Sequence, residues 1–552
     1  MEIAHKLNQK LQSRTYLTIL ILSGILFFIP FLGRVHLFDW DEINFAESAR
    51  EMLVSGNFHR VQINFQPFWE KPPLFFWMQA GCMKIFGVNE FAARLPNAIF
   101  GIITLVTLFV IGKKYKNPRF GFIWAMCFFG TFLPHVYAKS GIIDPVFNYF
   151  IFLGIYFMYR EVGNKTSQKN LWSVGLSGLF IGLATLTKGP VALLVFLLAF
   201  LAYFALTRFR NFPSFKKILV FTIPYIVVCF FWFGIEIIRS GFWFLDKFLA
   251  YQADLFLHPV ASHGEPFYYH FVVVAVGCFP ISIFALPVMG SSRIGGKNEF
   301  KLLMKILFWT VMILFSITTT KIVHYSSLTY MPLAFLAAIY LDRLMEEKTK
   351  THPLLTALLI GMGLFFSFLL AALPYMAQHP QLIIPYLKDP FAVAALGLPV
   401  QWSGNESLIG VGYFLMVLLA VGILQKRKIM EGILVMFYAT ALCLMGYLIW
   451  VVPKIERYSQ GPAIDFYQSL QGKNVYVWPV GFKSYAQYFY TQKKPEPVYG
   501  EKDLPFLLKG KITRPAFFVV KVGNKEFDST CARCQLIRQE GGFRFYERTP
   551  NP

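Results

Sequence analysis

Long apolar segments separated by short polar ones run through most of this chain. A transmembrane helix needs about 20 mostly apolar residues to cross a hydrocarbon core of about 30 Å. Segments of this length, or nearly so, lie at 16–35, 94–112, 120–137, 142–159, 171–187, 190–207, 218–236, 268–289, 303–319, 325–341, 353–376, 407–424 and 430–452. The pattern predicts a polytopic α-helical membrane protein with about 13 transmembrane helices.

Two long stretches between these segments have a different pattern. Residues 36–93 form a loop in which 43–53 has the spacing of apolar residues typical of an amphipathic helix that lies on a membrane. A second such helix is predicted at 72–86, which is too interrupted to span. Residues 237–267 form another loop, which is rich in aromatic residues.

The C-terminal segment is more polar and alternates helix and strand signals. Helices are predicted at 465–471 and 484–491, and strands at 474–480, 517–522 and 543–548. We therefore predict two domains, a transmembrane domain at residues 1–453 and a small α/β domain at residues 454–552.

Composition supports the assignment to a membrane. Of the 552 residues, 56% are hydrophobic and 15% are charged, whereas soluble globular proteins carry about 25% charged residues. The formal net charge of +22 does not indicate nucleic-acid binding, because no basic module lies outside the membrane region. Basic residues of membrane proteins instead collect in cytoplasmic loops and contact anionic lipid.

The distribution of Lys and Arg predicts the orientation. With the N-terminus in the cytoplasm, the inner segments hold 24 basic residues and the outer segments before residue 453 hold 12. The densest clusters, at 113–116 and 426–428, then lie in short cytoplasmic loops, where this rule applies best. An odd number of spans places residues 454–552 on the outer, periplasmic side.

Two of the seven cysteines, Cys531 and Cys534, are close in sequence. An outer compartment favours disulfides, and two intervening residues permit a local bridge. A zinc half-site is the alternative, although the sequence contains no second pair that would complete it. We predict a disulfide.

Charged and titratable residues collect on the predicted outer side, several of them at the end of a span. They are Asp41, Glu42, Glu70, Lys71, Lys139, Asp144, Lys188, His263, Glu265, Lys321 and His324. Charges at membrane depth are costly and usually face a cavity or a partner. Asp144 and Lys188, embedded between apolar runs, are therefore predicted to be functional. For Glu42 and Lys139 an ordinary structural role is at least as well supported.

Short motifs in this set carry a family resemblance. Residues 41–52 (DEINFAESAREM) look like the D-E-x-x-x-A-x-x-x-x-E-M segment of the lipid A aminoarabinose transferases, and Glu70-Lys71-Pro72-Pro73 resembles their E-K-P-P element. Later elements are matched in order by Asp144-Pro145, Thr187-Lys188-Gly189-Pro190, His263-Gly264-Glu265-Pro266 and Lys321-Ile322-Val323-His324-Tyr325. Over about residues 15–345 the chain resembles the C-type membrane glycosyltransferases, which include these enzymes and the protein O-mannosyltransferases.

The resemblance implies an enzyme of the bacterial inner membrane that transfers a sugar from a polyprenyl-phosphate donor on the outer face. The acceptor would be a lipid A-type glycolipid or a protein hydroxyl. No Gly-rich phosphate loop or Asp-x-Asp motif for a nucleotide sugar stands out in the sequence, which agrees with a lipid-linked donor.

The residue types suit this reaction. A base must take a proton from the acceptor hydroxyl, and cations must stabilise the charge that develops on the leaving phosphate. We predict Asp41 as the general base, with Asp144 or Glu70 as its orienting partner. The residues expected to bind the donor phosphate are Lys71, Lys188 and Tyr325.

A divalent metal and two other protein classes are alternatives to consider. Glu70, His263 and His324 are candidate metal ligands, although three residues without a defined geometry are weak evidence for a metal.

A transporter or flippase of a lipid-linked substrate would carry inverted repeats, and the sequence shows none. A receptor would not need carboxylates beside lysines in its first loop.

Overall fold

The structure is a computed structural model, and it describes residues 2–163, 171–210, 212–258, 264–290, 299–495, 504–524, 526–531 and 533–550. The elements of the first half are α1 (Glu2–Phe28), α2 (Asp41–Ser55), the hairpin β1 (Gln62–Ile63) and β2 (Gln66–Pro67), α3 (Leu74–Phe86), α4 (Glu90–Tyr115), α5 (Pro118–Phe129), α6 (Phe132–Ala138), α7 (Asp144–Val162), α8 (Leu171–Lys188), α9 (Val191–Leu206), α10 (Phe215–Cys229), a π-helical turn (Phe230–Gly234), α11 (Ile235–Ser240) and α12 (Trp243–Leu257).

The second half completes the membrane domain and adds a sheet. Its elements are α13 (Tyr269–Gly277), α14 (Ile281–Met289), α15 (Glu299–Ile317), a 3-10 helix (Val323–Thr329), α16 (Tyr330–Glu347), α17 (Pro353–Gln378), two 3-10 turns (Pro380–Leu382 and Ile384–Tyr386), α18 (Pro390–Leu396), α19 (Leu408–Gln425), α20 (Ile429–Trp450), α21 (Val452–Ser459), α22 (Gly461–Ser469), β3 (Tyr476–Val480), α23 (Ala486–Thr491), α24 (Leu504–Lys509), β4 (Ala516–Lys521), α25 (Glu526–Thr530), β5 (Gln535–Glu540) and β6 (Phe543–Arg548).

Every predicted span coincides with a helix or with a bent pair of helices. Among the described residues, nine helical stretches are long and apolar enough to cross a membrane, and two bent pairs, α5 with α6 at 77° and α13 with α14 at 115°, bring the number to 11. The other two predicted spans are α7, with 19 residues, and α9, with 16. The chain is a polytopic α-helical membrane protein, and a count of 13 crossings stays a prediction.

Small residues allow close packing between α4 and α5. A Cβ atom on Gly121 would lie 2.3 Å from the carbonyl oxygen of Phe109, and one on Gly112 would lie 2.6 Å from the Cα of Gly121. Helices in a membrane are not held together by the hydrophobic effect that packs helices in water, and van der Waals contact between close backbones stabilises their packing instead. A side chain at either glycine would therefore separate the two helices.

The predicted surface helix at 43–53 is α2, but its surroundings differ from the expectation. All its residues from Glu42 to Met52 are buried. Apolar residues of α2, including Ile43, Ala46 and Ala49, share a hydrophobic core with side chains of α22 and α23 such as Ile464. The helix therefore lies between other protein elements, and the C-terminal domain covers part of its apolar surface.

The C-terminal segment folds as a small α/β domain, as predicted. Its four strands have the order β3-β4-β6-β5, in which β3 and β4 are parallel and the other neighbours are antiparallel. The structure joins Cys531 and Cys534 in a disulfide, which confirms that prediction. The strand β5 was not predicted.

The C-terminal domain contacts the loop that follows α1. The backbone N–H of Leu37 donates to the Tyr490 hydroxyl at 2.9 Å, and His36 Nδ1 lies 3.2 Å from Glu456 Oε1. These two parts of the chain therefore lie on the same side of the membrane. The number of crossings between them is even, so that with α1 the total is odd, in agreement with the predicted parity.

Candidate active site

The predicted site residues lie at the ends of helices, and the packing of those helices brings them together. Asp41 begins α2, Asp144 begins α7 and Lys188 ends α8. Because α7 and α8 follow each other in sequence and pack side by side, the start of one meets the end of the other. Residues that are far apart in sequence thus meet at one end of the bundle.

His324 lies between the two aspartates. Its Nε2 atom is 3.5 Å from Asp41 Oδ2 and 3.7 Å from Asp144 Oδ2. The side chain of Asp144 is 5% exposed, whereas that of Asp41 is 31% exposed. Asp41 is therefore the carboxylate that is open to solvent, and Asp144 is buried.

The ammonium group of Lys188 has both an ionic and an aromatic partner. Its Nζ atom lies 2.6 Å from Asp144 Oδ1, and it stands 4.8 Å above the centre of the Tyr325 ring and 5.7 Å from that of Phe147. The ring faces attract the cation and hold it without competing for its N–H groups. Tyr325 thus contacts Lys188 through its ring, and the predicted hydrogen bond from its hydroxyl to a phosphate stays a prediction.

Glu70 and Lys71 share a partner that the sequence did not reveal. The hydroxyl of Tyr251 donates to Glu70 Oε2 at 2.9 Å, and Lys71 Nζ lies 5.2 Å from the centre of the same ring. Burial lowers the pKa of Lys71, and the nearby Lys188 ammonium lowers it further, whereas Glu70 raises it. Lys71 and Lys188 thus lie near each other, and the carboxylates of Glu70, Asp41 and Asp144 lie close to them.

A cavity lies among these groups. Its polar lining includes Lys71, Asp144, Lys188 and Tyr325, and its apolar lining comprises Phe147, Val191, Val195, Phe315 and Leu328. Asn148, Gln252 and Thr318 complete the wall. The arrangement suits a molecule with an anionic head and an apolar chain.

Glu42 and Lys139 have structural partners. Arg94 binds both carboxylate oxygens of Glu42, at 2.9 and 2.7 Å, and the backbone N–H of Gly141 donates to the same carboxylate at 2.6 Å. Lys139 Nζ donates to three carbonyl groups at the end of α1, where a helix has unpaired acceptors. For these two residues the ordinary structural role is the one observed.

The three candidate metal ligands are not brought together as a metal site among the described residues. Among the residues that the structure describes, no three or more His, Cys, Asp and Glu side chains are grouped as ligands of a metal ion. His263 lies outside the described residues. Of the other two candidates, Glu70 accepts from Tyr251 and His324 contacts the two aspartates. A metal therefore stays a prediction.

Sequence reasoning missed Tyr251 and Gln252. The Gln252 side chain lies 3.3 Å from the carbonyl oxygen of Glu70, so α12 supports the Glu70-Lys71 loop at two points. Both residues lie in the aromatic-rich loop 237–267, where many similar side chains are candidates. The only signal was the length of that loop, since long connections often carry functional residues.

The sequence of this chain is similar to those of known membrane glycosyltransferases. The family model for dolichyl-phosphate-mannose-protein mannosyltransferases matches residues 70–233. The undecaprenyl phosphate-alpha-4-amino-4-deoxy-L-arabinose arabinosyl transferase of Edwardsiella ictaluri is 26% identical over 376 residues, which are 66% of this chain and 67% of the relative. The enzyme of the same name from Wigglesworthia glossinidia brevipalpis is 23% identical over 350 residues, or 61% of this chain and 60% of the relative. The match thus spans about three fifths to two thirds of these relatives.

The fold matches over nearly the whole chain. The crystal structure of ArnT from Cupriavidus metallidurans bound to undecaprenyl phosphate aligns with a TM-score of 0.76 and 17% identity, and the alignment covers 98% of this chain and 99% of that one. Together, the family model, the arabinosyl transferase relatives and the shared fold support a C-type membrane glycosyltransferase of the superfamily that contains the lipid A aminoarabinose transferases and the protein O-mannosyltransferases.

Proposed function

We propose that this enzyme transfers a sugar from a polyprenyl phosphate to a lipid A-type glycolipid on the outer face of the inner membrane, with Asp41 as the general base. The observation that carries the proposal is the cavity, in which the cations Lys71 and Lys188 stand beside an apolar wall. A polyprenyl phosphate has the same division between an anionic phosphate and an apolar chain.

The two lysines have the chemistry to hold the donor phosphate. When the glycosidic bond breaks, its electron pair passes to the phosphate oxygen, and a nearby cation stabilises the added charge. Lys188 is held by Asp144 and by the Tyr325 ring. It can therefore meet the phosphate without a large loss of side-chain freedom. Lys71 approaches from the first loop and supplies a second positive charge.

Asp41 is the carboxylate best suited to accept the proton. The oxygen of the acceptor's O–H group forms the new bond to the anomeric carbon, the bond from that carbon to the phosphate oxygen breaks, and the acceptor proton passes to Asp41. Asp144 is engaged by Lys188 at 2.6 Å, so it is less available as a base. We therefore assign Asp144 to orientation of Lys188 and His324, and Glu70 to orientation of Lys71 and Tyr251.

A lipid A-type acceptor is placed first because the motifs of residues 41–52 and 70–73 resemble those of the lipid A aminoarabinose transferases. The two curated relatives are named as arabinosyl transferases that use undecaprenyl phosphate-linked aminoarabinose. The family model, by contrast, is named for enzymes that act on proteins. A protein hydroxyl is thus the second candidate acceptor.

The test is a reaction with purified components. The enzyme in detergent would receive undecaprenyl-phosphate aminoarabinose with either lipid A or a mixture of envelope proteins, and products would be identified by mass spectrometry. We expect modified lipid A, and none with Asp41→Asn. Transfer to protein alone would replace the proposed acceptor. Robust transfer from a nucleotide sugar, without any lipid carrier, would overturn the proposed donor.

A further inference from the structure

The loop between β3 and α23 lies against the residues that precede Asp41. The carboxylate of Asp39 lies close to the Ser484 hydroxyl and to the backbone N–H of Tyr485. These contacts bring a loop of the C-terminal domain to the start of α2. The side chains of that loop are therefore held next to the candidate base.

A lysine and two aromatic rings form a cluster at this contact. Lys483 Nζ lies 4.6 Å from the centre of the Trp40 ring and 5.9 Å from that of Tyr485, and the two ring centres are 5.1 Å apart. Asn44, with its amide oxygen facing the indole, accepts from Trp40 Nε1 at 3.1 Å. We call Trp40, Lys483 and Tyr485 the aromatic-lysine cluster.

The cluster is accessible, and among the described residues no carboxylate forms an ion pair with its lysine. Trp40 is 38% exposed, and Lys483 is exposed as well. Within the described part of the chain, Lys483 forms no ion pair. Lys454 offers a contrast, because it stands 5.2 Å from the Trp402 ring but also binds the carboxylate of Glu406.

The cluster begins at the residue that precedes the candidate base. Trp40 directly precedes Asp41, and consecutive Cα atoms across a trans peptide are about 3.8 Å apart. That step is shorter than a pyranose ring is wide. Flat aromatic faces pack against the apolar C–H face of a sugar, and an ammonium group binds phosphate oxygens as a point charge. The three side chains together match a phosphorylated sugar.

We propose that the aromatic-lysine cluster is a binding subsite for the phosphorylated sugar headgroup of the acceptor glycolipid, and that the C-terminal domain contributes it. The inference rests on the proposed transfer to a lipid A-type acceptor. The rings of Trp40 and Tyr485 hold a sugar unit, and Lys483 binds its phosphate. The subsite lies apart from the donor lysines, so it governs affinity for the acceptor and leaves donor binding unchanged.

The test separates charge from packing at one position. Lys483→Met keeps the apolar stem over the rings but removes the ammonium, and Lys483→Arg keeps the charge and the ring contact. Lys509→Ala, at an exposed lysine of the same domain, is the matched control. The Kd for lipid A, and for the same lipid A after phosphatase treatment, would be measured on each detergent-purified variant, together with kcat and the Kd for undecaprenyl phosphate.

We expect Lys483→Met to raise the Kd for phosphorylated lipid A by about tenfold or more. Its Kd for the phosphatase-treated lipid should equal that of the unchanged enzyme. Lys483→Arg and Lys509→Ala should stay within about twofold of that enzyme, as should donor binding in all variants. Equal affinity of Lys483→Met and the unchanged enzyme for phosphorylated lipid A would overturn the subsite. Equal losses of affinity for both lipids, together with a lower Tm of Lys483→Met, would also overturn the subsite. That result would assign the cluster to packing of the C-terminal domain against the first loop. An unchanged enzyme that binds no lipid A at all would instead refute the proposed function.

Discussion

The Nζ atom of Lys188, at the last position of α8, lies 2.6 Å from Oδ1 of Asp144, at the first position of α7. Both side chains are largely buried, at 13% and 5% exposure. A buried ion pair contributes little net stability, but removal of one partner is costly because a buried charge remains. A pair kept in such a place is better explained by function, since it presents one cation to the cavity in a fixed direction.

Replacement of Lys188 should therefore weaken donor binding. We expect Lys188→Gln to raise the Kd for undecaprenyl phosphate by about 10- to 100-fold, because charge-assisted hydrogen bonds to a phosphate are worth about 1.5–3 kcal/mol. Isothermal titration with the detergent-purified protein would measure the effect. Lys84→Gln, at an exposed lysine of α3, serves as the control. Unchanged affinity at Lys188→Gln would remove this residue from the donor site.

Replacement of Asp41 should strongly slow turnover and preserve the fold. No side-chain hydrogen bond caps the start of α2, and Asn is nearly isosteric with Asp, so Asp41→Asn should leave Tm nearly unchanged. General-base catalysis contributes about 10²–10⁴-fold, and we expect a loss of that order in kcat with donor affinity retained. Asp144→Asn should lose less kcat but more donor affinity. Near-normal kcat of Asp41→Asn would move the base to Asp144 or Glu70.

Loss of the Tyr251 hydroxyl should have a smaller effect. Tyr251→Phe keeps the ring beneath Lys71 and removes only the hydrogen bond to Glu70. Such a bond is worth about 0.5–1.5 kcal/mol, so we expect the donor KM to rise about two- to tenfold with little change in kcat. Tyr268→Phe, at an exposed tyrosine outside the cavity, is the comparison. An effect on kcat alone would place Tyr251 in the chemical step.

The predicted orientation can be tested with single cysteines. In a variant that keeps only the disulfide cysteines, Lys114→Cys and Lys509→Cys would each add one exposed thiol. A membrane-impermeant maleimide applied to intact cells should label Lys509→Cys and leave Lys114→Cys unlabelled until the cells are opened. The reverse labelling would invert the topology and place the site in the cytoplasm.

Stability should depend on the protonation of Glu51. Burial, and then the neighbouring Glu47 carboxylate, raise its pKa from an ordinary value of 4.5 to about 9. The folded protein thus keeps a proton that the unfolded chain loses, so stability should fall as pH rises between these two values. Glu51→Gln should make the pH dependence weaker, and Tm measured at intervals between about pH 5 and about pH 9 would show it. A Tm that rises with pH equally in both proteins would contradict this assignment.

Hydropathy and short motifs were enough to predict the membrane helices and most of the residues that the structure brings together in the candidate site. The long apolar runs indicate helices because lipid offers no hydrogen-bonding partners to the backbone N–H and C=O groups. The motifs contain Asp41, Asp144 and Lys188. The buried environment of α2 could not be predicted, because part of its cover comes from helices more than 400 residues away. The strand β5 was missed because its residues are exposed and polar, as on many edge strands.

The hydrogen bond between Leu37 and Tyr490 joins residues 453 positions apart, and this separation orders events during biosynthesis. The ribosome releases Asp41 long before it has made α23, so the first loop gains its contact with Tyr490 only late in synthesis. The surroundings of α2 are completed only after the C-terminal domain has folded. A chain that is released early therefore inserts its first helices while α2 still lacks this cover.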